Sequence, residues 1–102
     1  MSIDATGLES SARRLFPDLS LEQVFAELLL ERAQKNLIKY QTMARQFESK
    51  YELNFETFRK NILDSEPSFE VEQDYFDWEL AVTRIDEMQE EITRLSHLSR
   101  QS

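Results

Sequence analysis

The stretch Leu19-Ser20-Leu21-Glu22-Gln23-Val24 carries three helix-start signals that agree on one residue. Ser20 suits the N-cap, because its hydroxyl can accept from the free amides of a first turn. Gln23 stands three residues on, where its side chain can reach back to the Ser20 amide. Leu19 and Val24 occupy the two ends of a hydrophobic staple. A helix is therefore predicted to begin after Ser20 and to run unbroken to about Tyr51. Along it Ala26, Leu30, Ala33, Leu37, Tyr40, Ala44, Phe47 and Tyr51 recur in alternating steps of four and three. That rhythm is the seam of helix-on-helix packing. At 1.5 Å per residue the helix would be about 46 Å long.

Working outward, Asn54 is placed to cap a short helix, Phe55–Leu63, with Phe55, Phe58 and Ile62 on one side. The stretch Asp64-Ser65-Glu66-Pro67-Ser68 breaks it. A second long helix is predicted over roughly Glu70–Leu98. Val71, Tyr75, Trp78, Val82, Ile85, Gln89 and Ile92 continue the four-three rhythm, and residues 99–102 are expected to fray. Upstream, Ser2, Thr6, Gly7, Ser10, Ser11 and Pro17 suggest a flexible arm over residues 1–19, with at most a short helical turn near Leu8–Phe16. The expected fold is all-α: a long antiparallel helical hairpin with a short helix at its corner. Residues 20–102 would form the helical domain.

Composition agrees. In 102 residues there are one Gly and two Pro, too few for the turns of a sheet protein. With 40% hydrophobic and 31% charged residues the chain has a globular balance. Having no Cys excludes a disulfide scaffold, a thiolate metal site and a cysteine nucleophile. The longest apolar run, Leu28-Leu29-Leu30, is far short of a membrane span. No secretory leader is visible, so a cytoplasmic location without membrane attachment is expected.

Two features ask for partners. The first half of the first long helix carries Leu21, Val24, Phe25, Leu28 and Leu29 off its seam, more apolar surface than one neighbouring helix can cover. Leu21, Phe25, Leu28 and Leu29 are therefore candidates for self-association, as a homodimer. The second feature is charge. The net charge is −8, and its distribution is uneven. Residues 1–31 hold six acids and two bases, residues 32–63 three acids and seven bases, and residues 64–102 eleven acids and three bases. Between 64 and 79 there are seven acids and no base. Some of these acids suit a helix start, and others could balance Lys35, Lys39, Arg45 and Lys50 across the hairpin. Interleaved aromatics favour a further use, an interface in which anchors are ringed by charge. The docking candidates are Phe69, Glu70, Glu72, Asp74, Phe76, Asp77 and Trp78. Phe69 and Phe76 lie off the seam, whereas Tyr75 and Trp78 also suit the hairpin core.

Chemistry is sparse. His97 is the one histidine, and the residue three before it is Arg94, so the Glu-x-x-His pattern of bundle metal sites is missing. Carboxylate pairs such as Glu66/Glu70 and Glu87/Glu91 read as solvated helix faces, so no catalytic residue, metal or cofactor is expected. The bases from Arg32 to Lys60 are diluted by Glu48, Glu52 and Glu56, and the net charge repels phosphate. Nucleic-acid binding by the chain alone is not expected.

The run Phe47-Glu48-Ser49-Lys50-Tyr51-Glu52-Leu53-Asn54-Phe55-Glu56-Thr57-Phe58, followed by Glu72-Gln73-Asp74-Tyr75-Phe76-Asp77-Trp78-Glu79, resembles a group of small prokaryotic helical proteins. Their pattern is F-x-x-K-Y-G-M-x-F-E-x-F and then E-x-D-x-x-x-W-E. They look like the antitoxin halves of two-gene toxin–antitoxin modules. Glu52 and Leu53 stand where that pattern has Gly-Met, which removes the usual helix-ending glycine. The resemblance implies a non-enzymatic role: neutralising a basic, nuclease-like, toxin-like partner by covering its active groove. The alternative expectation is a self-associating structural or adaptor protein.

Overall fold

A computed structural model describes residues 5–100. Four helices follow one another: α1 (Ala5–Leu15), α2 (Leu21–Tyr51), α3 (Phe55–Leu63) and α4 (Phe69–Arg100). The described residues contain no strand. Helices α2 and α4 pack along each other as an antiparallel hairpin, with α3 across the corner.

The helix ends follow from local chemistry. The Ser20 hydroxyl accepts from the Gln23 amide at 3.2 Å, and the Gln23 side chain accepts from the Ser20 amide at 2.8 Å. This reciprocal pair leaves two fewer donors unsatisfied at the start of α2. Asn54 caps α3 by accepting from the Thr57 amide at 2.8 Å. Ser68 does the same for α4, accepting from Val71 at 3.3 Å. At the end of α2, Glu52 adopts φ 55° and ψ 34°, the left-handed region. Its amide donates to the Glu48 carbonyl at 2.8 Å. A glycine takes this geometry freely, whereas another residue gives up about 1–2 kcal/mol there. The bend forms even though the glycine is absent.

The N-terminal segment differs from the expected loose arm. Ala5–Leu15 is a helix of three turns, while residues 1–4 lie outside the described residues. Ala12 and Phe16, at helical spacing, are half-buried, whereas Leu8 and Leu15 stay exposed. Phe16-Pro17-Asp18-Leu19 then forms a turn closed by the Leu19 amide on the Phe16 carbonyl at 3.2 Å. Pro17 fits its second position. The turn folds α1 back onto α2, and Val24, which points away from α4, becomes buried. At the other end, helix continues through Ser99 and Arg100, and residues 101–102 of the expected frayed tail lie outside the described residues.

The core is concentrated at the closed end of the hairpin. Trp78 is fully buried against Ala44 and Phe58, with Phe47, Tyr51, Phe55 and Tyr75 around them. The indole stacks on Phe47 with centroids 5.7 Å apart, meets Phe58 at 5.0 Å and takes the Phe55 ring edge-on at 5.4 Å. Its Nε1 has no hydrogen-bond acceptor. An orphan donor of this kind costs about 1–3 kcal/mol, which the burial of the largest side chain offsets. Further along, the buried positions are Ala26 and Ala33 of α2 and Ala81 and Leu95 of α4, with Leu30, Leu37, Ile85, Met88 and Ile92 half-buried between them. The result is long and thin, with principal extents of 58 × 33 × 18 Å. Its accessible surface is 7966 Å² for a chain of 12.1 kDa. A compact protein of that mass exposes about 6,000 Å².

Candidate functional site

Helix α4 begins at the Ser68 cap, so its rotational phase is fixed from Phe69 onward. At 100° per residue, Phe76 and Leu80 return to within about 20° of Phe69. These three form one line on the side of α4 turned away from α2. Their exposures are 82%, 53% and 45%. Glu72 and Glu79 fall on one flank of the line, Gln73 and Asp77 on the other. Gln73 Nε2 donates to Asp77 Oδ1 at 3.3 Å. Among the described residues, Glu72, Asp77 and Glu79 form no ion pair. The face is therefore apolar at its centre and negative at its rim.

The same rotation separates the predicted docking residues. Trp78 is nine residues beyond Phe69, half a turn round, and faces α2. Its complete burial removes it from the docking set: it is a core residue. Asp74, five residues beyond Phe69, also turns toward α2. Its side chain is only 15% exposed, and Lys50 Nζ donates to Asp74 Oδ2 at 2.6 Å. The Tyr51 hydroxyl donates to the same oxygen. Lys50 also reaches Glu70 Oε1 at 2.9 Å, although Glu70 remains exposed. Asp74 thus ties the two long helices together at the corner rather than waiting for a partner. Phe69, Glu72, Phe76 and Asp77 stay on the outer face. Leu80 belongs there too and escaped the sequence reading, because it lies past the acidic run. Its signal was spacing, eleven residues after Phe69 and four after Phe76.

Expected balancing of the acids by the first long helix is met only at Lys50 among the described residues. Lys39 lies over the Tyr40 ring, 5.6 Å from its centroid, and Lys35 and Arg45 make no ion pair. The corner cluster shifts its own titrations. Hydrogen bonds from Lys50 and then Tyr51 hold the Asp74 carboxyl below its ordinary range. Bonds to Asp74 and then Glu70 push Lys50 above its ordinary 10.5. Burial, and then the bond to Asp74, raises Tyr51 above 10.0. A lowered carboxyl adds stability above its unfolded value, and that stability is lost as pH falls through the folded value. Raised groups add stability below their unfolded values, and it is lost as pH climbs through the folded ones. The melting temperature should therefore hold level at intermediate pH. It should fall below about pH 4 and again above about pH 10. Melts of the parent and of Tyr51→Phe across that range check this; the variant should lose part of the drop on both sides.

The described residues hold no group of three or more His, Asp or Glu able to hold a metal ion. No described helix is long and apolar enough to cross a membrane. Set against known protein families, curated proteins and solved structures, the chain matches none. What defines it is its own geometry: an all-α helical hairpin with an acid-rimmed aromatic line on its second long helix.

Proposed function

We propose that the chain is a non-enzymatic binding protein that docks a basic protein on the outer face of α4. In the antitoxin sense the partner would be nuclease-like, and docking would cover its active groove. One observation carries the reading: Phe69, Phe76 and Leu80 stand exposed in line, rimmed by Glu72, Glu79 and Asp77, which form no ion pair among the described residues. Exposed aromatics supply the anchor, and the unpaired carboxylates steer a basic groove onto it.

The test must leave the corner cluster intact, so Glu70 and Asp74 are kept. The variant Phe69→Ser/Glu72→Lys/Phe76→Ser/Asp77→Lys changes only outer-face positions, and a melt must show that it stays folded, since Phe76 meets the Tyr75 ring and Glu72 lies in the first turn of α4. The first partner to try is a small basic nuclease encoded beside this chain. By titration calorimetry the variant should bind it at least about tenfold more weakly, a loss of about 1.4 kcal/mol. Nuclease activity inhibited by the parent should return, and the parent's affinity should fall as salt is raised. Equal binding and equal inhibition by a folded variant would remove the α4 face from the function.

A further inference from the structure

Helix α2 carries a second line of side chains at four-three spacing. Leu21, Phe25, Leu28, Arg32, Lys35 and Lys39 recur in steps of four, three, four, three and four. At 100° per residue they keep within about 40° of one direction, about 130° round the helix from the seam with α4. All six are exposed, although α1 covers Val24 beside the first turns. The three apolar members are 41–57% exposed, and the three bases form no ion pair among the described residues. Glu22, Glu27 and Glu31 lie about 80–120° away round the helix, so the line itself holds no acid. We infer that this line seats a helix of another protein, whose contact face is apolar along one half and acidic along the other.

Spacing and charge name this occupant. Steps of four and three keep a stripe against a neighbouring helix over several turns, whereas a strand repeats every two residues and does not match them. Arg32, Lys35 and Lys39 are complemented by carboxylates, and the apolar half by apolar side chains. Nucleic acid fits poorly, since half of the line offers phosphate nothing and the chain carries a net charge of −8. A lipid surface fits poorly too. An interfacial helix buries its apolar face and keeps its bases on the polar one, whereas here both lie on one line and would enter to the same depth. The same line on a second copy is no better a match. Antiparallel pairing sets Leu21, Phe25 and Leu28 against Lys39, Lys35 and Arg32, and parallel pairing sets base against base. This inference stands apart from the α4 docking face, since it uses another helix and the opposite charge.

The probe is a labelled synthetic helix of Ala and Gln with leucines at four-three spacing in one half and glutamates at that spacing in the other, made in both chain directions. Its twin has Gln for the glutamates. By fluorescence anisotropy the full chain should bind one direction of the Glu peptide at least about tenfold more tightly than the twin, the combined effect of three exposed ion pairs. That preference should shrink as salt is raised. Lys35→Glu/Lys39→Glu should abolish it, and Phe25→Glu should weaken both peptides, with helicity unchanged in each variant because these side chains are exposed. Phe69→Ser on α4 should change neither affinity, which separates this line from the α4 face. Equal binding of the two peptides would overturn the inference. Failure of both would also overturn it, and binding to phosphatidylserine vesicles would then assign the line to a lipid surface. So would a parent that sediments at twice the 12.1 kDa chain mass and falls to the single mass in Phe25→Glu, since a second copy would then fill the line.

Discussion

Trp78→Ala should lower the stability of the hairpin by about 3–5 kcal/mol. The indole is fully buried and touches aromatic rings from both α2 and α3, so its loss leaves a void walled by elements that cannot all move inward together. Part of the penalty is returned, since the unpartnered Nε1 disappears with the ring. For a domain of this size each kcal/mol is worth about 4–8 °C, so the melting temperature should drop by at least about 12 °C. Phe69→Ala is the matched control. It removes an aromatic ring, 82% exposed, from the same helix, yet should move stability by less than about 0.5 kcal/mol. A Trp78→Ala protein that melts with the parent would show that the corner rings are not the core.

Ala81→Leu should also destabilise, by about 2–3 kcal/mol, and for the opposite reason. Ala81 is fully buried, beside Trp78 and Ile85 on the covered side of α4. The extra carbons of leucine must either adopt a strained rotamer or push α4 away from α2. Moving the helices apart would also loosen neighbouring contacts along the seam. Circular dichroism melts measure the loss. Helical content at low temperature should be retained, because leucine is a good helix former and only the packing suffers. A variant as stable as the parent would mean that the helices have room to spare at this level.

Local chemistry made the helices legible. The Ser20–Gln23 exchange and the Asn54 cap need only residues three apart, and the bonds form as their spacing implies. The four-three rhythm marked the seam along α2 and the first turns of α4, but beyond Trp78 the covered line of α4 shifts by one residue to Ala81, Met88 and Leu95 and leaves Gln89 exposed. The docking set was less legible. Counting acids and aromatics along residues 69–78 ignores the turn of the helix, which sends Asp74 and Trp78 inward while Phe69 and Phe76 point out. The ion pairs of Lys50 depend on where the corner places it, and no short-range pattern fixes that. The arm was misjudged because its serines and glycine weigh on local propensity. Its helix is held instead by the Phe16–Leu19 turn and by contact with α2. The glycine missing at Glu52 did not abolish the bend, since one strained residue is a small cost beside the ring cluster it helps to close.

Placing the large rings at one end of a hairpin sets an order of assembly. Tyr51 and Asp74 meet across 23 positions of chain. Ala26 and Leu95, at the far end, wall one groove 69 positions apart. Closing the longer loop first would cost about 1 kcal/mol more entropy and would gain none of the large aromatic contacts of the corner. Once the corner is formed, each further turn of α2 against α4 extends an existing contact and closes no new loop. The hairpin therefore zips from the corner outward and comes apart from its tips inward. The end that opens first bears the exposed Leu21–Leu29 stripe, so anything that covered the stripe would act as a clasp on the ends of the zipper.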